Sequence, residues 1–242
     1  MRLALVLLYA LAQAGSPSRS QLPPAWFDPF CAVSVQAETT AGGLSVVLFS
    51  QSANRIDAHL TLIGDDNAYD AFLQQVSLSG SQPALRSRPY LVLLPKAEAI
   101  HYAFVDSYAV GSSTTNCPSE PSEVTSPSAG TPVQRSPSSD RVIASFKQPI
   151  GPLKCGKPYE PPKLAGASEP IASGVDKPRS SFIMTFVNAN GDIVKAYVWQ
   201  SSGVDALDSA AAVAAERSRY TPGSLLCSPV AGSYLFRADF KP

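Results

Sequence analysis

The sequence carries little charge and no excess of either sign. Only 16% of its 242 residues are charged, and 19 Lys and Arg balance 19 Asp and Glu. An average soluble domain has about 25% charged residues. Because no broad basic surface is available, the composition argues against binding to nucleic acid or anionic lipid. Hydrophobic residues make up 45% of the chain, which is enough to bury a core.

Enzyme motifs are also lacking. The chain has no GxSxG elbow, HExxH, Walker loop or GxGxxG fingerprint. Its two histidines, His59 and His101, lie in strand-like runs and are interpreted as partly buried structural residues. The acidic residues Asp65, Asp66 and Asp70 lack the spacing of a calcium loop and indicate a solvated turn. We predict no catalytic residue, metal ligand or cofactor. An enzyme site in the N-terminal half, built on groups that no motif reveals, is the alternative.

The first residues form an apolar run that is short for a membrane span. Residues 3–12 are apolar, Arg2 precedes them, and Ala12-Gln13-Ala14 follows with the small-x-small pattern of a signal peptidase site. Ten helical residues rise about 15 Å, half of a bilayer core of ~30 Å. We predict a signal peptide over residues 1–14, an exported protein (periplasm, cell envelope or medium) and no integral membrane span. An uncleaved anchor or a buried N-terminal helix is the alternative.

Four cysteines fit export, because an even number can pair completely in an oxidising compartment. They are Cys31, Cys117, Cys155 and Cys227, and no two have CxxC spacing. With only two histidines beside them, a zinc site is not predicted. Three connectivities are possible. We favour Cys31–Cys117 and Cys155–Cys227, since each pair then brackets one of the two folded segments described next.

The N-terminal half alternates short apolar runs with turn residues. Gly42-Gly43 and the stretch 64–67 are the clearest turns, and residues 70–75 could form a single helical turn. Strands recurring at this spacing are typical of an antiparallel sandwich or barrel. We predict an antiparallel β-sandwich-like domain over residues 15–117. Its candidate strands are 32–35, 44–49, 58–63, 76–78, 90–94 and 99–108.

Proline and serine dominate the middle of the chain. The 25 residues 117–141 contain 5 Pro and 7 Ser, with almost no large apolar side chain. Such a segment cannot bury enough surface to offset the loss of chain entropy. We predict an extended Pro/Ser-rich linker over residues 118–154.

The C-terminal segment predicts a small unit of strands and one helix. Residues 181–187 and 193–200 read as strands joined at Asn190-Gly191, a strong hairpin signal. Asp205 is a plausible N-cap for a helix whose small residues recur on one face, and a last strand covers 233–240. The predicted order is ββαβ, with one helix packed on a three-stranded antiparallel sheet. The predicted fold class of the chain is therefore α+β.

The same residues resemble the C-terminal domain of TonB-family proteins. The resemblance covers residues 155–242, a little over a third of the chain. It implies one helix against a three-stranded sheet, with an exposed edge strand that takes up an extended peptide of an outer-membrane transporter. The residues that carry it are Pro158-Tyr159-Glu160-Pro161, Asn190-Gly191-Asp192-Ile193-Val194, Ser201-Ser202-Gly203, Leu207-Asp208, Ala210-Ala211 and Tyr220-x-Pro222, followed by the closing aromatic strand.

The resemblance places a candidate binding edge on residues 233–240. Backbone hydrogen bonds supply affinity in such β-strand addition, and alternate side chains supply selectivity. The partner-binding residues are then Ser233, Leu235, Arg237 and Asp239. In the alternative reading, the two charges only protect the edge from aggregation.

The chain also departs from the family. TonB energy transducers keep a transmembrane anchor that couples to an inner-membrane motor, whereas the apolar run here is short and a β-rich domain follows it. The function expected from the sequence is an exported binding module for a protein or peptide partner, such as an outer-membrane transporter. An energy transducer, if the leader is retained, and a passive envelope spacer are the alternatives.

Overall fold

The protein is built mainly of strands. A computed structural model describes residues 30–51, 53–80, 85–117, 119–126, 140–172 and 175–242. Strands account for 59% of the structure, and the described ranges contain one helix. The predicted signal peptide, 1–14, lies outside these residues. The α+β fold class predicted from the sequence is wrong, because the chain is a mostly-β protein with several sheets.

Eleven strands of the N-terminal part join one sheet. In the order β10-β6-β2-β5-β4-β3-β7-β8 each strand pairs with its neighbour, while β1 pairs with β2, β9 with β7 and β11 with β4. Their bounds are β1 (Val33–Thr40), β2 (Gly43–Ser50), β3 (Arg55–Gly64), β4 (Asn67–Ser79), β5 (Leu85–Ser87), β6 (Tyr90–Leu93), β7 (Ile100–Val110), β8 (Ser113–Asn116), β9 (Ser122–Glu123), β10 (Arg141–Ile143) and β11 (Ser145–Pro149).

The strands of this sheet close over one apolar core. On β3, Ala58, Leu60 and Leu62 are fully buried at every second position, as the two-residue period of a strand requires. Strands β1, β2, β4, β6 and β7 contribute to the same cluster. The six candidate strands predicted from the sequence all overlap strands of this sheet, while residues 70–75 lie inside β4 and not in a helical turn.

Parts of the predicted linker belong to the sheet. Strand β9 pairs with β7, β10 runs parallel to β6, and β11 runs antiparallel to β4. Lys147 on β11 reaches across to Asp106 at 2.5 Å and donates to Thr61 at 2.6 Å. The linker prediction is wrong for residues 119–126 and 140–149, because backbone pairing with distant strands orders segments of low hydrophobicity. Residues 127–139 lie outside the described ranges.

The C-terminal part contains three small sheets and the helix α1. Strands β12, β17 and β18 form one sheet, β13 and β16 a second, and β15-β14-β19 a third. Five short strands therefore accompany the predicted ββαβ elements, and the single-sheet description is wrong. The bounds are β12 (Tyr159–Glu160), β13 (Lys163–Gly166), β14 (Arg179–Val187), β15 (Ile193–Gln200), α1 (Asp205–Arg217), β16 (Arg219–Thr221), β17 (Gly223–Leu225), β18 (Ser228–Val230) and β19 (Gly232–Phe240).

Helix α1 packs on the sheet β15-β14-β19 through small side chains. Ala211, Ala214 and Leu207 on the helix share a core cluster with Ile183 of β14 and Phe236 of β19. Because alanine side chains are small, the helix and the sheet pack close enough to exclude water.

The start of α1 differs from the prediction. The N-cap is Val204, whose side chain makes no capping hydrogen bond, and Asp205 is already helical. Asp208, 3% exposed, instead accepts hydrogen bonds from the Ser202 N–H at 2.8 Å and the Ser201 hydroxyl at 2.5 Å. Burial opposes ionisation of Asp208, but these hydrogen bonds outweigh it and the pKa lies below its ordinary value.

Candidate partner-binding edge

Strand β19 lies at an edge of its sheet. It pairs with β14 over nine residue pairs, from Arg179 opposite Phe240 to Val187 opposite Gly232. No other described strand pairs with it. The two strands run without a register shift, so β19 presents a regular, extended outer edge.

The four residues predicted from the sequence share one side of β19. Leu235 is 42% exposed, Arg237 and Asp239 are exposed, and Ser233 is half-buried. The intervening residues Phe236, Ala238 and Phe240 are buried in the core under α1. Strand alternation thus separates a core-forming set from an accessible set.

The backbone of the accessible set also faces outward. The Ser233 N–H donates to Glu120 Oε1 at 3.0 Å and so points away from β14. Since successive N–H and C=O groups of an antiparallel strand alternate between its two edges, those of Leu235, Arg237 and Asp239 face the outer edge as well. These groups have the orientation that an added strand needs.

Arg237 and Asp239 pair with each other along the strand. Arg237 Nε donates to Asp239 Oδ1 at 2.9 Å, and the Ser180 hydroxyl donates to the same oxygen at 2.6 Å. The guanidinium also lies 5.8 Å from the centre of the Phe182 ring. The hydrogen bonds from Ser180 and Arg237 hold the Asp239 pKa below its ordinary value. The Asp239 carboxylate is therefore charged at neutral pH beside the outer edge of β19.

Glu120 marks one end of this edge, and sequence reasoning missed it. The preceding Ser119 is anchored to β7, because its N–H donates to the Val105 carbonyl at 2.8 Å and its hydroxyl accepts from the Val105 N–H at 2.9 Å. Glu120 Oε1 accepts from the Ser233 hydroxyl at 3.1 Å and the Tyr159 hydroxyl at 3.3 Å. No local pattern reveals a carboxylate that acts 113 residues away in sequence.

The disulfides join Cys31 to Cys117 and Cys155 to Cys227, the pairing that the sequence analysis favours. Cys31 is 2% exposed within the N-terminal core, whereas Cys155 and Cys227 lie at the surface. Two disulfides are consistent with an extracellular or periplasmic protein. Among the described residues, no helix is long and apolar enough to cross a membrane.

The two histidines lie at the surface of the N-terminal sheet and not in its interior. His59 Nδ1 is 3.7 Å from Asp70 Oδ2, and its ring stacks on Phe72 with centroids 4.2 Å apart. His101 Nε2 is 2.6 Å from Asp65 Oδ1. Nearly half of each histidine side chain is exposed. The described part of the chain contains no cluster of three or more His, Cys, Asp or Glu side chains placed to hold a metal ion.

Glu98 closes the acidic turn between β3 and β4. Its Oε1 accepts from the backbone N–H groups of Asp66 at 2.8 Å and Asn67 at 3.0 Å. Its Oε2 accepts from the Asn67 side-chain amide at 2.8 Å and the Tyr69 hydroxyl at 2.5 Å. Burial opposes ionisation, yet these four hydrogen bonds prevail and lower the Glu98 pKa to about 2. Asp65 and Asp66 are exposed, as predicted for a solvated turn, and the Glu98 carboxylate fixes the backbone of the turn.

We expect Glu98→Gln to lower the free energy of unfolding and to remove part of its pH dependence. The Glu98 pKa is about 2 in the folded protein, below its ordinary value of 4.5. Its stabilisation is therefore present above pH ~4.5 and is lost as the pH falls toward ~2. Urea denaturation between pH 7 and pH 2.5 measures this. Glu216→Gln on the exposed side of α1 controls for the loss of one negative charge. A pH dependence equal to that of the wild type in Glu98→Gln would contradict the assignment.

No protein-family model, curated protein or solved structure matches the chain. Nothing in these comparisons identifies a TonB-like domain.

Proposed function

We propose that the protein is an exported binding module that takes up an extended peptide segment of a partner by strand addition to β19. The single observation that carries the proposal is the regular outer edge of β19, where the alternating backbone groups of residues 235–239 face away from β14. Main-chain hydrogen bonds to such an edge supply affinity. The side chains of Leu235, Arg237 and Asp239 then supply selectivity.

The opposite edge of the same sheet is less suited to this role. Strand β15 also pairs only with β14 among the described strands, but its ladder has two register shifts, one near Phe182 and one near Val187. Such irregularities twist an edge and disturb the spacing of its donors and acceptors, which protects it from pairing. The regular ladder of β19 has no such protection.

The expected partner is a protein with an accessible extended segment. The family resemblance suggests an outer-membrane transporter, which fits an exported protein with disulfides. Arg237 and Asp239 pair with each other along the strand, so an added strand would lie beside one positive and one negative charge within three residues. We therefore expect the partner segment to alternate polar and apolar residues and not to carry a block of one charge.

The substitution Arg237→Pro tests the proposal. Proline removes an N–H that faces the outer edge and leaves the ladder with β14 intact, so an edge strand tolerates it. We expect peptide affinity to fall about tenfold or more, which corresponds to ~1.4 kcal/mol. The probes are nine-residue peptides, as long as β19, that tile the N-terminal segments of outer-membrane transporters from the same cell.

Arg237→Ala is the matched control, because it removes the side chain and keeps the backbone donor. Circular dichroism and the unfolding midpoint establish that both variants are folded. Equal affinity of folded Arg237→Pro and Arg237→Ala would contradict strand addition at β19. Affinity lost equally in both variants would assign binding to the Arg237 side chain instead.

A further inference from the structure

We propose that the Cys155–Cys227 disulfide is a thiol-exchange site, opened by an external dithiol while Cys31–Cys117 stays intact. The two disulfides differ in accessibility. Both Cys155 and Cys227 are exposed, whereas Cys31 is 2% exposed and packs in the N-terminal core. Cys117 is half-buried. Since exchange requires a thiolate to reach a sulfur atom, Cys155–Cys227 is the more accessible of the two disulfides to a reductant in the folded protein.

The backbone at Cys227 has a strained conformation. Cys227 and Leu226 form the turn between β17 and β18, with φ angles of 67° and 50°. Two consecutive positive φ angles suit Asn-Gly, whereas Leu and Cys adopt them at a cost. Both the pairing of Leu225 with Ser228 and the disulfide hold Cys227 in this turn. Opening the bond removes one of these two constraints on the turn, which favours reduction.

The surroundings of the bond stabilise a departing thiolate. The Cys155 N–H donates to Cys227 Sγ at 3.2 Å. Lys154 and Lys157 flank Cys155 in sequence, and both are exposed. Hydrogen-bond donors and nearby cations lower the energy of a thiolate. The Cys155 N–H therefore makes Cys227 the better leaving group of the two, while the two lysines place positive charge next to Cys155 in sequence.

The exchange proceeds in two steps. A thiolate of the external dithiol attacks Cys155 Sγ, so a mixed disulfide forms and the electron pair of the broken bond goes to Cys227. The second thiolate of the dithiol then attacks the dithiol's own sulfur in the mixed disulfide and releases Cys155. The dithiol loses two electrons and closes its own disulfide. The protein gains two electrons, and two protons pass to Cys155 and Cys227.

The bond holds a short strand in place. Strand β12 pairs with β17 through only two residue pairs, Tyr159 with Leu225 and Glu160 with Ser224. Two further hydrogen bonds support it, from the Leu226 N–H to the Pro158 carbonyl at 2.7 Å and from the Tyr159 hydroxyl to Glu120 Oε1 at 3.3 Å. Reduction removes the covalent constraint on this segment. We expect faster hydrogen exchange at residues 157–160 and 224–228, with no change in β14.

The experiment is a graded reduction of the folded, full-length protein with dithiothreitol, followed by alkylation and peptide mapping by mass spectrometry. We expect Cys155 and Cys227 to become alkylated at a reductant concentration about tenfold lower than Cys31 and Cys117. Alkylation of all four cysteines over the same range, or of Cys31 and Cys117 first, would overturn the proposal.

Two variants test whether the turn and the lysines promote the exchange beyond what the exposure of Cys155 and Cys227 explains. Leu226→Asn places a residue that tolerates positive φ in the turn, and we expect it to raise the dithiothreitol concentration needed. The double variant Lys154→Gln, Lys157→Gln should slow the exchange severalfold, while Lys96→Gln in the N-terminal part should not. If none of these variants changes the reduction of Cys155–Cys227, the turn and the lysines do not promote the exchange, and the assignment fails.

Discussion

Gly43→Ala is expected to lower the free energy of unfolding by about 3 kcal/mol or more. Gly43 begins β2 with a φ of +142°, which side chains rarely adopt. A Cβ at this position would lie 2.4 Å from the Val92 carbonyl oxygen on the neighbouring strand β6. Because that oxygen belongs to backbone within the sheet, it cannot move aside without breaking the pairing of β2 with β6. Chemical denaturation of the purified variant measures the loss.

Gly42 provides the matched control one residue earlier. A Cβ there would have Leu91 Cδ2 as its nearest neighbour at 4.0 Å, an ordinary contact. We therefore expect Gly42→Ala to change the free energy of unfolding by less than about 0.5 kcal/mol. If Gly43→Ala were as stable as Gly42→Ala, Gly43 would not lie as close to the Val92 carbonyl of β6 as described here.

Ile183→Ala should destabilise the C-terminal part by about 2–5 kcal/mol. Ile183 is 0% exposed. It lies on the face of β14 that packs against α1, where it shares a core cluster with Leu207 and Phe236. Its truncation removes apolar contacts and leaves a cavity that helix and strands can only partly fill. A thermal or urea unfolding curve, followed by circular dichroism, reports the loss.

Met184 is the neighbouring control on the same strand. It faces the other side of β14 and is only half-buried. Met184→Ala should therefore cost clearly less than Ile183→Ala. Equal losses for the two variants would mean that the side of β14 under α1 is not the one that carries the core.

Long strands were predictable because their pattern is local. The alternation around Leu60 and Leu62 and the turn at Gly42-Gly43 indicate strands directly, and β2 and β3 follow them. The hairpin signal at Asn190-Gly191 also marks the connection between β14 and β15. The loop covers residues 188–192, and Asn188 Oδ1 accepts from the backbone N–H groups of Asn190 and Asp192, both at 2.9 Å.

Short strands were not predictable because their partners are distant. β11 reads as polar linker, yet its pairing with β4 joins Phe146 to Tyr69, 77 residues away. The same holds for β12, whose partner β17 is more than 60 residues downstream. A stretch of two to five residues carries no period of its own. Whether such a stretch becomes a strand depends on the backbone groups of the distant strand with which it pairs.

The candidate edge was predictable in part. The alternation in residues 233–240 separates Leu235, Arg237 and Asp239 from the buried aromatic residues, and the structure has this separation. The role of Glu120 at the start of β19 was not predictable, because it depends on how the segment after Cys117 is held on β7. The prediction that Asp205 caps the helix was wrong for a similar reason. Asp208, and not Asp205, binds the segment before the helix, because it accepts hydrogen bonds from Ser201 and Ser202.

The central claim is that a peptide adds to the outer edge of β19. Residue-resolved amide hydrogen exchange, measured by NMR with and without a bound transporter peptide, tests it most directly. Strand addition predicts slower exchange at Leu235, Arg237 and Asp239, with the amides of β15 unchanged. Slower exchange confined to β15 or to the N-terminal sheet, or a bound peptide that leaves all three β19 amides unchanged, would contradict the claim.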